Sequence, residues 1–194
     1  MSIDYANGAT PLEYDEMEGL LLTHVTTRSE LDRWELDNIN RAYQWADQLK
    51  HRNILNADFI CLLHKRMFGN VWKWAGQLRK SEKNIGVPRV EIAVELKLLC
   101  DDANAWVEFD TYPQDEFAAR FHHRLVYIHP FANGNGRHAR LMADLILEKI
   151  FKAVPFTWGN ANLTKQGAVR KAYICALKAA DNHDYSLLLK FVRS

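Results

Sequence analysis

Little in this chain is built for crosslinking or export. Its three cysteines, Cys61, Cys100 and Cys175, are an odd number, widely spaced among apolar neighbours, so reduced core thiols fit better than disulfides or metal ligands. Charge of one sign is scarce too, because 25 Lys+Arg against 24 Asp+Glu leave a net +1. That balance exerts no general pull on nucleic acid or anionic membrane, so no direct nucleic-acid binding is expected and charge-driven chemistry must be local. No apolar run approaches the roughly eighteen residues of a membrane helix. Met1-Ser2-Ile3-Asp4 lacks the basic start and apolar stretch of a signal peptide, which makes the cytoplasm the expected location, away from any membrane. Proline, glycine and serine gather into no linker, and no repeat or low-complexity tract is visible.

What the 194 residues do have is apolar content, 48% of the chain, mostly at three- and four-residue spacing. One mainly helical globular unit is the economical reading. Thr10-Pro11-Leu12-Glu13 is a capping-box start with proline in the first helical position, and Leu12, Leu20 and Leu21 give that helix an apolar face. A second helix runs from about Leu31 to Leu49, and Asn56 caps a third that Gly69 stops. Ile92, Leu96, Leu99, Ala103 and Val107 mark a fourth. Phe117, Phe121, Leu125 and Ile128 mark a fifth, which must end before Pro130. A sixth begins near Gly136, and Ala168 to Ala180 and Tyr185 to Val192 complete the set. Between the third and fourth, turn residues beside alternating apolar positions over Lys83 to Glu91 predict a short β-hairpin or extended flap. The expected architecture is therefore all-α with one small hairpin. Residues 1–52 form an N-terminal helical region packed against a core domain over 53–194.

Chemistry concentrates in His129-Pro130-Phe131-Ala132-Asn133-Gly134-Asn135-Gly136-Arg137-His138-Ala139-Arg140. Gly134 and Gly136 allow close backbone approach at a helix start, where free N–H groups attract an anion, and phosphate is the natural ligand. Arg137 and Arg140, three apart, can reach successive phosphates of one chain. His129 at the loop's entrance can take a proton from a hydroxyl, and Phe131 turns inward. Singly, a Gly-Asn-Gly connection, a histidine before proline and two helix arginines each have ordinary structural explanations; their crowding into one short segment points to a site. Of the other histidines, His122, His123 and His138 lie at no zinc-ligand spacing. Trp72, Trp74 and Trp106 read as packing residues. Asn160 to Lys165 either line a base pocket or simply enter a helix.

The segment closely resembles the signature of Fic-domain proteins: His-Pro-Phe, any residue, Asp or Glu, Gly-Asn-Gly-Arg, two variable residues, Arg. All but one of the defining positions match. The resemblance runs upstream through Leu63-His64, Phe68-Gly69-Asn70-Val71 and Trp74-Ala75-Gly76-Gln77-Leu78-Arg79, and in detail is greatest to a small bacterial subfamily labelled mobile mystery protein B. It implies a Fic-like helical fold and transfer of AMP from ATP to a Ser, Thr or Tyr hydroxyl of a target protein, with Mg²⁺ or Mn²⁺. His129 would then be the general base. Phe131 would anchor the loop, and Gly134, Asn135 and Gly136 would bind the α- and β-phosphates. Arg137 would take the β-phosphate and Arg140 the γ-phosphate. The flap, with Ile85, Gly86, Val87, Val90 and Ile92, would clamp the target segment. An antitoxin-like or DNA-binding companion protein would be a further partner.

Asn133 stands where the family has its metal-binding carboxylate. An amide oxygen can still ligate a hard cation but adds no charge. Three readings follow: AMP transfer at a lower rate, another donor or removal of AMP, and a nucleotide-binding regulator without transfer. Many Fic proteins also carry an inhibitory helix whose glutamate pairs with the second motif arginine. The nearest match is Tyr14-Asp15-Glu16-Met17-Glu18-Gly19, which by resemblance would pair Glu18 with Arg140. An ordinary acidic helix facing solvent is the other reading of the same residues.

Overall fold

The computed structural model describes residues 14–49, 53–160, 163 and 167–194. The helix start at Thr10 to Glu13 lies outside them, as do residues 161, 162, 164 and 165 of the expected base pocket. The first described turn, α1 (Tyr14–Met17), is short. The predicted N-terminal helix does not continue to Leu21. The chain leaves it at Gly19, where a side chain would meet the Trp74 ring at 2.7 Å. It then pairs its backbone with residues 71–73, Leu21 N donating to Val71 O at 2.8 Å and Lys73 N to Gly19 O at 2.9 Å.

Helix α2 (Arg28–Asp47) opens on a capping box between Thr27 and Glu30. Leu31, Glu35, Asn38, Ala42 and Ala46 form its buried face. In α3 (Ala57–Phe68) the Phe59 N–H donates to Asn56 Oδ1 at 2.8 Å, so the cap falls where the sequence places it. Gly69 ends the helix with right-handed dihedrals, φ −68°. Then come α4 (Ile92–Glu108), α5 (Gln114–Ile128) and α6 (Asn135–Ile146), which runs into a π-helical turn over Leu147–Phe151. A 3₁₀ turn at Trp158–Asn160, α7 (Ala168–Ala180) and α8 (Ser186–Val192) follow.

The layers pack in pairs: α2 on α3, α4 on α5, α5 on α6, and α7 on α8. Ile60, Leu63 and Met67 of α3, Leu96 and Leu99 of α4, Phe117 and Phe121 of α5, and Met142 and Ile146 of α6 are essentially inaccessible to solvent. Each contributes about 1.5–3 kcal/mol by burial. The helical hairpin α5–α6 is thereby clamped from both sides, and the loop joining it, residues 129–134, is held at the end of this core. Among the described residues no helix is long and apolar enough to cross a membrane.

Two expectations need correction. Residues 83–91 form bends and a turn, not a β-hairpin, and the described β pairing is an isolated bridge between Leu20 and Trp72. Side chains have taken the backbone partners a ladder would use. Arg79 Nη2 donates to Val87 O, and Arg89 N donates to both carboxylate oxygens of Glu82 at 3.1 and 3.2 Å. Cysteine placement also differs, since Cys100 is buried but Cys175 is exposed on α7.

Candidate active site

The site is built where α5 stops. Pro130 cannot continue the helix, and His129 closes it in the left-handed region, φ 54° and ψ 57°, with its N–H donating to Leu125 O at 3.3 Å. Left-handed backbone is costly for a non-glycine residue, so neighbours must hold it. Arg79 Nε donates to His129 O at 2.8 Å, and Arg79 N donates to Pro130 O at 2.9 Å. Asn135 then staples the loop to itself. Phe131 N donates to Asn135 Oδ1 at 2.9 Å, and Asn135 Nδ2 donates to Phe131 O at 2.8 Å. His64 supports the far side, its ring stacked on Phe131 at 3.7 Å. His64 Nδ1 accepts from Gly76 N at 2.9 Å, which leaves the proton on Nε2, donated to Asn133 O at 3.0 Å. At Gly134, φ +80°, a Cβ would lie 2.7 Å from the Phe68 ring, so only glycine fits.

Helix α6 starts at Asn135 with no side-chain cap, so the N–H groups of its first turn face outward from the helix end. Two guanidinium groups flank them. Arg137 lies over the Phe68 ring at 4.8 Å and forms an ion pair with Glu35, Nη1 to Oε2 at 2.5 Å. Glu35 is buried, and its other oxygen accepts from Trp72 Nε1 at 2.7 Å. Arg140 is turned the other way, toward α7. Its Nη1 lies 3.6 Å from where a Gly136 side chain would begin, and its centre is 5.8 Å from the Tyr173 ring. Burial lowers its affinity for its own charge, and the Tyr173 hydroxyl, which also meets His122 Nε2 at 2.9 Å, partly restores it. Among the described residues, then, Arg140 rests against a phenol where Arg137 has a carboxylate. A desolvated guanidinium beside bare helix N–H groups favours an anion strongly.

His129 is 5% exposed. Burial, helped by the positive charges of Arg79 and Lys83 and opposed by a hydrogen bond to Val126, pushes its imidazole down to about 4. At neutral pH it is uncharged and able to accept a proton. Gly86 backs onto it, since a Cβ there would sit 2.6 Å from the His129 Cβ.

Phe131 is fully enclosed and turned inward against His64, in keeping with the loop anchor the sequence suggests. The Asn135 side chain is spent on the loop staple, which leaves its backbone for an anion. Asn133 Oδ1 accepts from Gly134 N at 2.7 Å, and among the described residues no group of three histidine, cysteine or carboxylate side chains gathers to hold a metal. One neutral oxygen in use within its own loop does not make a resident metal site. Of the flap residues, Ile85 and Val90 are exposed, but Val87 and Ile92 are core, Ile92 opening α4, because the flap lies flat on the domain. Glu18 is exposed and is not brought to Arg140; the N-terminal carboxylate paired with a motif arginine is Glu35, on Arg137. Glu16 is the buried acid of α1, paired with Lys83 at 2.5 Å and accepting from Ser81 Oγ at 2.7 Å.

Nothing in the sequence marked Tyr173 as a site residue, and His64 and Arg79 stood in the upstream resemblance without a role; Glu35 was missed as well. Glu35 had a signal, a carboxylate on the Leu31–Glu35–Asn38–Ala42 face of an amphipathic helix, where a charge needs a partner.

Residues 54–147 match the model of the Fic/DOC family. Over 181 residues, 87% of the chain, the sequence is 27% identical to Protein adenylyltransferase Fic of Aedes aegypti, covering 34% of it. Over 106 residues, 50% of the chain, it is 33% identical to Protein adenylyltransferase fic-1 of Caenorhabditis elegans, covering 20% of it. The chain thus spans about a third or less of these relatives' length. Among solved structures, C. elegans Fic-1 (residues 134–508, E274G) superposes with a TM-score of 0.69 at 25% identity, over 94% of this chain and 54% of that one. BepC of Bartonella tribocorum with bound AMPPNP also gives 0.69, at 16% identity, over 93% and 97%, a likeness of fold.

Proposed function

We propose that the chain, whose residues 54–147 match the Fic/DOC family, is a protein adenylyltransferase of the type labelled mobile mystery protein B. It moves AMP from ATP to a Ser, Thr or Tyr hydroxyl of a target protein. The observation that carries this reading is Arg140, desolvated and resting on a phenol beside the uncapped start of α6, one loop away from a neutral histidine. Such a constellation binds a polyphosphate and deprotonates a hydroxyl. The target oxygen attacks the α-phosphorus and its proton passes to the His129 imidazole. The bond from the α-phosphorus to the β-bridging oxygen breaks, and pyrophosphate leaves. Arg137 and Arg140 neutralise the departing group, and the N–H groups of the first α6 turn hold the phosphoryl oxygens. Mg²⁺ or Mn²⁺ would supply charge neutralisation to the phosphates of the co-substrate, and Asn133 would offer it at most one neutral oxygen. The exposed Ile85 and Val90 flank the route by which a target segment reaches His129.

The N-terminal region enters the same reading as a restraint on the site. Glu35 holds Arg137, so nucleotide must share or displace a carboxylate already seated there.

Asn133 favours a second reading, a site that binds nucleotide without transferring AMP, or that uses another donor or removes AMP. Incorporation of label from α- and γ-labelled ATP into lysate proteins, with Mg²⁺ or Mn²⁺, separates them. Transfer of AMP gives protein label from the α-position alone, lost in His129→Ala. Label from the γ-position that is lost in His129→Ala overturns the proposal, and bound ATP with no label from either overturns it in favour of the second reading.

A further inference from the structure

Arg79 closes the Trp-Ala-Gly-Gln-Leu-Arg segment and is used by none of the steps above. Its side chain is wholly buried. A guanidinium taken out of water is unfavourable unless its N–H groups are met, and here they are met by two different parts of the molecule. Nε donates to the carbonyl of His129 at 2.8 Å, and the backbone N–H of the same residue holds the next carbonyl, Pro130, at 2.9 Å. The two Nη atoms turn the opposite way. Nη1 donates to Ser81 O at 2.9 Å and reaches Glu82 at 3.5 Å, and Nη2 donates to Val87 O. Glu82 in turn accepts from Arg89 N, so the whole run 81–89 hangs on one planar fork.

Gly86 shows how tight the junction is. A Cβ at that position would lie 2.6 Å from the His129 Cβ and 3.0 Å from Arg79 Nη2, so the flap backbone is pressed between the base and the guanidinium. An ordinary core arginine would satisfy its donors wherever carbonyls happened to lie. This one spends them on the peptide of the base and on the backbone that borders it, the two walls between which a target hydroxyl must enter.

We propose that Arg79 is a positioning residue that fixes the flap at a set distance from His129, and so governs acceptance of the target segment without touching the nucleotide. This rests on the transferase reading for its consequence in catalysis, though its structural half stands apart from it. The fork is what matters: lysine keeps the charge but supplies donors from a single point, and cannot span both walls.

The test uses the full chain with Arg79→Lys, and Gly86→Ala as a second lesion that pushes the same junction open with Arg79 intact. Three quantities are read: ATP affinity by calorimetry, hydrogen exchange of the amides over 83–89 and 129–131, and α-label incorporation into lysate proteins. In both variants ATP affinity stays within about threefold of wild type, since a positioning residue removed from the phosphates leaves uniform binding alone. Exchange at the flap rises at least about tenfold and label falls at least about tenfold. Wild-type exchange and label in Arg79→Lys would overturn the proposal, as would loss of ATP binding in parallel with loss of label. If the wild-type protein transfers no label, the transferase reading has failed by itself, and the exchange measurement still decides whether Arg79 ties the flap to His129.

Discussion

Glu35→Gln is the substitution that interrogates the phosphate cradle most directly. Glutamine has the same shape, keeps an oxygen for the Trp72 indole N–H, and removes one negative charge from beside Arg137. A phosphate on the outer edge of that guanidinium would sit roughly 6 Å from the Glu35 carboxylate, across a 2.5 Å contact and the width of the group. At an effective dielectric of about 20, two like unit charges at that distance repel by roughly 2–3 kcal/mol. Glu35→Gln should therefore tighten ATP binding by between about thirtyfold and a hundred-and-fiftyfold. The cost falls on the empty protein. Breaking a buried pair by removing one partner typically destabilises by about 3–5 kcal/mol, less when a neutral hydrogen-bonding group remains. Isothermal calorimetry with ATP on wild type, Glu35→Gln and Arg137→Ala, beside thermal melts with and without nucleotide, reads both effects. The expected pattern is a lower melting temperature for empty Glu35→Gln that saturating ATP restores. ATP affinity that is unchanged or weaker in a folded Glu35→Gln would refute the electrostatic argument and make Glu35 a support for Arg137.

Acid should unfold the protein well above the range where carboxylates titrate. Burial holds His122 and His138 down at about 3 and His129 at about 4, and lowers His64 well below the ordinary value, so below pH 6.5 the unfolded chain binds protons that the native chain refuses. His122, His138 and His129 each cost about 2 kcal/mol by pH 5, and His64 acts in the same direction. Asp144, pushed up to about 7 by burial, opposes them by roughly one histidine's worth. Loss of tryptophan and far-ultraviolet signals with a midpoint near pH 5 is expected, whereas a native signal at pH 4 would contradict the burial of these rings. Gly134→Ala forces a left-handed residue and a 2.7 Å approach to Phe68, and should lower stability by at least about 1–3 kcal/mol and weaken ATP binding; an unchanged melting temperature would count against the loop geometry. Asn133→Asp restores a charged oxygen, so Mg²⁺ should strengthen ATP binding in that variant by a larger factor than in wild type, and equal Mg²⁺ dependence would show that residue 133 does not face the phosphates.

The helices were legible because their evidence is local. Asn56 and the apolar spacing through Met67 fix α3, and the face running from Ile92 to Ala103 fixes α4. The 129–140 segment announced itself for a related reason: base, glycines and arginines are contiguous. What supports that segment is scattered. Glu35 is 102 residues from Arg137 and Arg79 is 50 from His129, separations no spacing rule can span. The hairpin failed on the same account. Its alternating residues satisfied the rule for a strand, but a ladder requires free backbone groups, and those of Val87 and Arg89 had been claimed by Arg79 and Glu82. Glu18 likewise matched a pattern, but the N-terminal carboxylates that are buried are those that meet a cation in the folded chain, Glu16 on Lys83 and Glu35 on Arg137.

The pairing of α2 with the far end of the domain bears on the order in which the molecule comes into being. Glu35 meets Arg137, Tyr43 donates to Glu148 at 2.8 Å, and Lys149 donates to the carbonyl of Asp47 at 2.7 Å. During synthesis α2 emerges about a hundred residues ahead of these partners and must wait for them with Glu35 still in water. A nascent chain arrested before residue 137 has neither the cradle nor the carboxylate's counterpart. The cradle proposed to hold nucleotide is therefore assembled late, by contacts about a hundred residues apart in the chain, and a polypeptide arrested before Arg137 lacks it.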